Sequence, residues 1–167
     1  NIHWTNQKTV CSLFGGPMQK RFQEWDESDF PDLGWSNSRF YGFNFPGRQH
    51  TLHLSIDYAL DGPLTTKSST HRTNIWTLIP VDLYFYNVSN FEFRLSMGKQ
   101  SEVYIQGIYR TNERKTPNGK LVQWDYELDL YEAGSLEFAA TGFEQRAASD
   151  PITSFTSDLD REASFLD

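Results

Sequence analysis

Two stretches of the chain decide its fold: Phe91-Glu92-Phe93-Arg94-Leu95-Ser96-Met97 and Trp124-Asp125-Tyr126-Glu127-Leu128-Asp129-Leu130. In both, every second residue is apolar and the residues between are polar. Successive side chains of a β-strand point to opposite faces, so this pattern buries one face and leaves the other in water. Half-buried strands of this kind are typical of antiparallel sheets. The sequence therefore predicts a mainly β protein.

The apolar face of each predicted strand indicates the core. The stretches from His50 to Tyr58 and from Val81 to Phe85 alternate in the same way. On the first of them, the polar residues His53, Ser55 and Asp57 would share a solvent face. We expect the core to contain Leu52, Leu54, Ile56, Leu83, Phe85, Phe93, Leu95, Trp124, Tyr126, Leu128 and Leu130.

Turn signals divide the strand region, which extends from residue 36 to residue 146. Asn118-Gly119 readily adopts the positive φ of a tight turn, which predicts a hairpin. Asp61-Gly62-Pro63 predicts a turn, and the Ser/Thr-rich residues 64–74 predict a loop. Gly134 to Phe143 is expected to be the last strand. At least six strands are expected, arranged either as an antiparallel curved sheet or as a two-layer β-sandwich.

Both ends of the chain carry weaker helix signals. Residues 5–16 predict a short N-terminal helix, with Thr5 as its N-cap and Gly15-Gly16 as its end. After Ala147 the pattern changes, and residues 147–167 form either an acidic tail or a short C-terminal helix that begins near Ser157. Residues 1–146 are thus expected to form a single β domain that includes the N-terminal helix.

Composition narrows the classes of partner and compartment. The formal net charge is −7, which argues against nucleic acid as a partner because phosphate binding needs clustered Lys and Arg. No stretch is apolar enough to span a bilayer, so a membrane partner is not expected. The one cysteine, Cys11, excludes an intrachain disulfide and favours a reducing, cytoplasmic compartment.

The candidate residues for catalysis and for metal binding give little support to either. His53, Ser55 and Asp57 lie at every second position, so their side chains would be about 6.5–7 Å apart. A nucleophilic triad needs hydrogen-bond distances of about 3 Å. The four histidines are His3, His50, His53 and His71, and their spacing is not that of a chelating site. The sequence therefore predicts no metal site, no cofactor and no catalytic residue.

Asp125, Glu127 and Asp129 are the candidate binding residues. They alternate with apolar residues and would share one face of a strand, and Glu132 and Glu137 would extend the stripe. Such a stripe is interpreted either as a solvated outer face or as a docking surface for a basic protein. Acid–base catalysis would need one buried carboxyl group with a raised pKa, which this polar stripe does not suggest.

The order of several motifs resembles a known family. Trp4 precedes a short helix that ends in Leu13-Phe14-Gly15, and strands follow at Ser36–Phe40, Leu52–Asp57 and Val81–Leu95. This order is similar to that of the small bacterial β-proteins that include the immunity protein 50 family of polymorphic toxin systems. The resemblance implies a protein that neutralises a cognate toxin by binding it, and it supplies no catalytic residues.

Three function classes follow, in decreasing order of support. The first is a non-enzymatic protein-binding module, such as an immunity protein, whose partner is a basic protein such as a toxin domain. The alternative is a β-barrel or sandwich that binds a small apolar ligand, since Gly34-Trp35 is similar to the Gly-x-Trp entry of lipocalins. The third is a hydrolytic enzyme.

Overall fold

The computed structural model describes residues 23–47, 50–67, 72–96 and 102–159, and the structural statements below refer to these residues. Ten strands and a short 3-10 turn at Phe30–Asp32 account for most of them. The strands are β1 (Glu24–Asp26), β2 (Ser38–Asn44), β3 (Leu52–Lys67), β4 (Arg72–Tyr86), β5 (Ser89–Leu95), β6 (Val103–Lys115), β7 (Val122–Leu130), β8 (Gly134–Ala140), β9 (Gly142–Ala147) and β10 (Ile152–Ser154).

All ten strands belong to one antiparallel sheet. Their order is β1-β9-β4-β3-β2-β6-β7-β8-β5, and β10 pairs with β4 beyond the end of β9. The sheet curves strongly, because Phe43 of β2 contacts Phe93 of β5 at a ring distance of 5.1 Å although three strands lie between them in the order. The mainly β, antiparallel curved sheet expected from the sequence is confirmed. The helix predicted over residues 5–16 lies outside the described residues. The C-terminal helix predicted to begin near Ser157 lies mostly outside them as well, and residues 157–159, which are described, are not helical.

The predicted hairpin at Asn118-Gly119 is also confirmed. It joins β6 to β7, and Gly119 has a φ of 68°, in the region that glycine adopts without strain. The Gly119 backbone N–H donates to the Thr116 carbonyl at 2.7 Å, and the Thr116 N–H donates to the Leu121 carbonyl at 2.9 Å. This turn sets the register that places Tyr126 opposite Arg110.

Three sequence predictions about turns and loops were wrong. The chain does not turn at Asp61-Gly62-Pro63, because β3 continues to Lys67 through register shifts on both sides of Asp61. Such bulges accommodate Gly and Pro within a strand. Residues 64–67 and 72–74 are strand rather than loop. The segment predicted as the last strand belongs to two strands, β8 and β9, which are divided at Thr141, and β10 follows them.

The core lies on the inner face of the sheet and is largely aromatic. Phe85 is fully buried, and its ring lies 4.9 Å from Tyr126, 4.8 Å from Phe138 and 5.4 Å from Phe143. These residues come from β4, β7, β8 and β9, so one ring joins both halves of the sheet. Aromatic pairs at such distances add to the stability that their buried area provides.

The segment before β2 covers one end of this core. Trp35 is buried, and its ring lies 4.9 Å from Phe30 and 5.9 Å from Phe143. Its indole N–H donates to the Gln145 side-chain oxygen at 2.9 Å, which gives a buried amide a partner. Trp35 is therefore a core residue here, whatever its likeness to the lipocalin motif.

The central position of β3 buries both of its faces. Leu52, Leu54 and Ile56 are fully buried, as expected. The other face was predicted to meet solvent, and that prediction was wrong: His53 is 5% exposed, and Ser55 and Asp57 are 0% exposed. The alternation in the sequence distinguishes the polar face of a strand from its apolar face. It does not show which other parts of the chain pack against the polar face.

Two other core predictions were wrong, and a third was only partly right. Phe93 and Leu95 are 40% and 42% exposed because they lie on β5, the last strand of the sheet order. Trp124 is partly buried and packs against the core, with the Arg110 guanidinium 4.3 Å from its ring centre. The other eight predicted core residues are buried: Leu52, Leu54, Ile56, Leu83, Phe85, Tyr126, Leu128 and Leu130.

Candidate functional site: an acidic sheet face beside an exposed apolar seam

The three predicted site residues lie on the outer face of β7. Glu127 is exposed, and Asp125 and Asp129 are partly exposed. Their positions alternate with Tyr126, Leu128 and Leu130, whose side chains form part of the core. The structure thus places Asp125, Glu127 and Asp129 on one face of one strand.

The neighbouring strands extend this face with two more carboxylates. Glu127 pairs directly with Glu137 of β8, and Glu137 pairs directly with Glu92 of β5. Directly opposite side chains on an antiparallel pair have Cβ atoms about 4.5–5.5 Å apart. Three glutamates therefore form a row across three strands. We call the outer surface formed by Glu92, Asp125, Glu127, Asp129 and Glu137 the acidic face.

Two arginines neutralise part of the acidic face. The Arg114 guanidinium lies 2.6 Å from Asp125 and holds the pKa of that carboxyl below its usual value. Arg94 contacts Glu92 at 2.7 Å and approaches Glu137 at 3.8 Å. Neither Glu127 nor Asp129 has an ion pair or a side-chain hydrogen bond with the described part of the chain. The centre of the acidic face is therefore its least neutralised part.

The acidic face ends at an edge of the sheet. Within the described ranges, β5 pairs only with β8, so its other side presents backbone groups that are not bonded to another strand. Such edges accept an added strand from another chain when nothing covers them. The edge therefore offers directional hydrogen bonds next to the carboxylates.

An apolar seam lies on the inner side of the same edge, where β5 approaches the end of β2. We define it as Phe43, Phe45, Phe91, Phe93 and Leu95. The rings of Phe43 and Phe91 are 5.2 Å apart, and those of Phe45 and Phe91 are 5.0 Å apart. Phe45 is 44% exposed, much like Phe93 and Leu95. Clustered apolar groups exposed in this way often mark an interaction site.

The polar residues of β3 make structural contacts with neighbouring strands. His53 Nε2 lies 2.9 Å from Asp82 Oδ1, and the imidazole stacks on Tyr84 at a ring distance of 4.7 Å. Asp57 accepts hydrogen bonds from the Tyr41 hydroxyl at 2.6 Å and from the Leu159 backbone N–H at 2.8 Å. His53 and Asp57 thus bind different partners.

The remaining sequence candidates add no metal site. His50 is exposed and lies before β3, with a φ of 50°. Cys11, His3 and His71 lie outside the described residues. Across residues 23–47, 50–67, 72–96 and 102–159, no group of three or more His, Cys, Asp and Glu residues is placed to hold a metal ion.

We expect the protein to lose stability in alkali through Tyr86. Its hydroxyl donates to Glu144 at 2.6 Å, and burial together with this contact raises its pKa from 10 to about 12. The unfolded chain would ionise Tyr86 near pH 10, whereas the folded chain resists ionisation up to about pH 12. The contribution of Tyr86 to the free energy of unfolding is therefore complete below pH 10 and falls between pH 10 and 12.

Urea titrations at successive pH values would measure this effect. The Tyr86→Phe variant, which cannot ionise, should lose less stability than the parent over this window. Equal losses in the two proteins would contradict the assignment.

Sequence reasoning found only part of this surface. It identified the carboxylates of β7, because they lie on one continuous strand. It named Glu137 as an extension of the stripe, but it missed Glu92 and the direct register of the three glutamates, since strand order brings those residues together. It also missed the apolar seam, because Phe93 and Leu95 were assigned to the core. The alternation predicts correctly which face of the strand these two residues share, but it does not show that the strand lies at the edge of the sheet.

Comparisons with protein-family models, curated proteins and solved structures found no match. In the described part of the chain, no helix is long and apolar enough to cross a membrane. The function is therefore inferred from the geometry of the described residues.

Proposed function

We propose that this protein is a non-enzymatic binding module that docks a basic protein segment on its acidic face and along β5. The resemblance to the immunity protein 50 family suggests a toxin domain as the cognate partner. The observation that carries the proposal is the row of three glutamates, Glu127, Glu137 and Glu92, in direct register across β7, β8 and β5.

The cost of this row supports a role in binding. Like charges directly opposite each other on a sheet destabilise it, by up to about 1 kcal/mol for a pair. Arg94 offsets part of this repulsion at Glu92 and Glu137, so the uncompensated part centres on Glu127. A solvated face would be equally soluble with alternating charges, as Arg114 and Asp125 already show on the same surface. A partner that supplies Lys or Arg side chains would offset the repulsion on docking, and long-range attraction would speed its approach.

The edge strand and the seam give the same partner a second means of attachment. An extended segment added beside β5 would gain backbone hydrogen bonds. Apolar residues at alternate positions of that segment would face Phe93 and Leu95, whereas the positions between would face Glu92. A partner segment that alternates basic and apolar residues therefore fits this edge.

A photo-crosslinking experiment can identify the partner. Benzoylphenylalanine would replace Glu92 in one variant and Glu24, which is exposed on β1 at the opposite edge of the sheet, in another. In the cells of origin, we expect position 92 and not position 24 to crosslink to one basic protein. Equal crosslinking from both positions, or an acidic product, would count against the proposal.

Charge removal then tests the mechanism on the purified partner. The double variant Glu127→Gln, Glu137→Gln should associate roughly tenfold more slowly at low salt, and its rate should depend less on salt than that of the parent. Its free energy of unfolding should be unchanged or higher by up to about 1 kcal/mol, since a like-charge pair is removed. Stopped-flow association rates and urea titrations measure the two effects.

The matched control removes the same charge elsewhere. Glu24→Gln, Asp32→Asn alters two exposed carboxylates outside the acidic face, one on β1 and one in the 3-10 turn, and changes the net charge equally. It should slow association much less than the variant on the acidic face. Similar rates for the two double variants would mean that only net charge matters, and the acidic face would lose its assignment.

A second candidate function is the binding of a small apolar ligand. A groove of about 380 Å³ adjoins the seam, and its lining combines Phe40, Phe43, Phe93 and Leu95 with the charged residues Arg39 and Glu102. Its volume lies within the range of known ligand sites, about 300–1,000 Å³. A fluorescent fatty-acid analogue should then bind with an affinity that falls in Phe93→Ala and is unchanged in Glu127→Gln, Glu137→Gln.

A further inference from the structure

An aromatic hollow lies beyond the Asp129 end of the acidic face, where β4, β6 and the end of β7 approach the chain just before β2 and after β10. The volume of the hollow is about 420 Å³. We define it by six of the residues that line it: Asn37, Trp76, Tyr104, Gln106, Tyr131 and Ser157. It shares no lining residue with the acidic face or with the seam.

Three aromatic side chains provide its apolar surface. Tyr131 is 51% exposed, and Trp76 and Tyr104 are partly exposed. Tyr104 is fixed in place, because its hydroxyl lies 3.0 Å from Glu102, 2.9 Å from Asp158 and 3.3 Å from Ser157. The hydroxyl donates its one proton to either carboxylate and accepts from Ser157. A ring held in this way loses little freedom when a ligand covers it.

Three exposed or partly exposed polar groups surround these rings. The side-chain amides of Asn37 and Gln106 and the indole N–H of Trp76 make no hydrogen bond within the described part of the chain. Each amide offers both donors and an acceptor, and the indole offers one donor. Backbone contacts hold two of these residues: Asn37 N–H donates to the Ile105 carbonyl at 3.0 Å, and Gln106 lies in a bulge of β6 between Ile105 and Gly107.

The charge near the hollow selects against anions. Glu102 and Asp158 both contact the Tyr104 hydroxyl, and their carboxylates would repel a phosphate, a sulfate or an acidic sugar. Asp158 is itself paired with Arg39 at 3.0 Å, and this ion pair offsets its charge. A ligand without negative charge suits this balance, and the uncharged amides of Asn37 and Gln106 favour a neutral one.

We propose that the aromatic hollow is a binding site for a neutral saccharide. A sugar ring has an apolar C–H face that packs on aromatic rings and hydroxyl groups that pair with amides. Tyr131 and Trp76 supply the aromatic surface, and Asn37 and Gln106 supply the donors and acceptors. The volume of the hollow is sufficient for a ligand of one or two sugar rings.

Titration of the full chain with four neutral sugars tests the proposal. The probes are maltotriose, cellotriose, lactose and diacetylchitobiose, followed by calorimetry. We expect at least one to bind with a Kd of about 1 mM or tighter. Tyr131→Ala and Gln106→Ala should each weaken that binding roughly tenfold, which corresponds to the loss of about 1.4 kcal/mol.

Tyr109→Ala is the matched control. Tyr109 is 49% exposed on the same strand as Gln106 but does not line the hollow, so its loss should leave the affinity unchanged. Circular dichroism of every variant would show that each remains folded. The proposal is overturned if none of the four sugars binds at about 20 mM, or if Tyr109→Ala weakens binding as much as Tyr131→Ala does. Binding of choline in place of the sugars, with the same response to Tyr131→Ala, would also overturn it.

Discussion

Replacing Phe85 by alanine should lower the free energy of unfolding by about 3–5 kcal/mol, because a fully buried aromatic ring would be replaced by a cavity. The ring contacts Tyr126, Phe138 and Phe143, which belong to three different strands. These neighbours are held by the sheet and cannot move far to fill the space. Urea denaturation followed by tryptophan fluorescence would measure the loss.

Phe93→Ala is the natural control for this variant. The same chemical change is made on β5, where Phe93 is 40% exposed and already meets solvent. The expected loss is about 1 kcal/mol or less, since little buried area is removed and no closed cavity forms. If the two variants lost equal stability, the assignment of Phe93 to the exposed seam would be wrong.

Replacing Gly134 by alanine should be comparably damaging, for a reason that involves the backbone. Gly134 begins β8 with a φ of 134°, and an added Cβ would lie 1.9 Å from the Arg94 carbonyl oxygen and 2.8 Å from its carbon. No side-chain rotation relieves a clash with backbone, so β5 would have to move away from β8. We expect a loss of roughly 2–4 kcal/mol, together with faster amide exchange in β5.

Gly34→Ala separates this effect from the general cost of removing a glycine. An added Cβ at Gly34 would meet nothing within 4 Å. The free energy of unfolding of the Gly34→Ala variant should therefore differ from that of the parent by no more than about 0.5–1 kcal/mol. Hydrogen exchange would show protection of β5 unchanged in this variant. A stable Gly134→Ala variant with full protection of β5 would refute the close approach of the two strands.

The sequence could predict most of the strands, because alternation is a local property. The residues on the inner faces of β3, β4 and β7 were identified correctly, and Asn118-Gly119 located the β6–β7 hairpin. The carboxylates of β7 were predictable for the same reason. Each of these features depends on residues that are close together in the chain.

Errors arose where a residue's environment depends on distant parts of the chain. The sequence predicts that Asp57 faces solvent, yet the residue is buried and accepts hydrogen bonds from Tyr41 and Leu159. Phe93 reads as a core residue, yet strand order places it at the edge. For both residues the predicted face of the strand is correct and the predicted burial is wrong, since burial depends on which strands become neighbours.

The sequence by itself determined that the chain forms antiparallel strands, which side chains share a face, and where the turn between β6 and β7 lies. Only the tertiary structure decided that β5 is an edge, that Glu92 lies in register with Glu137 and Glu127, and that Trp76, Tyr104 and Tyr131 line one hollow. The physical reason is that alternation fixes the direction of each side chain relative to its own strand. Pairing between distant strands fixes which side chains meet, and no local pattern records that pairing.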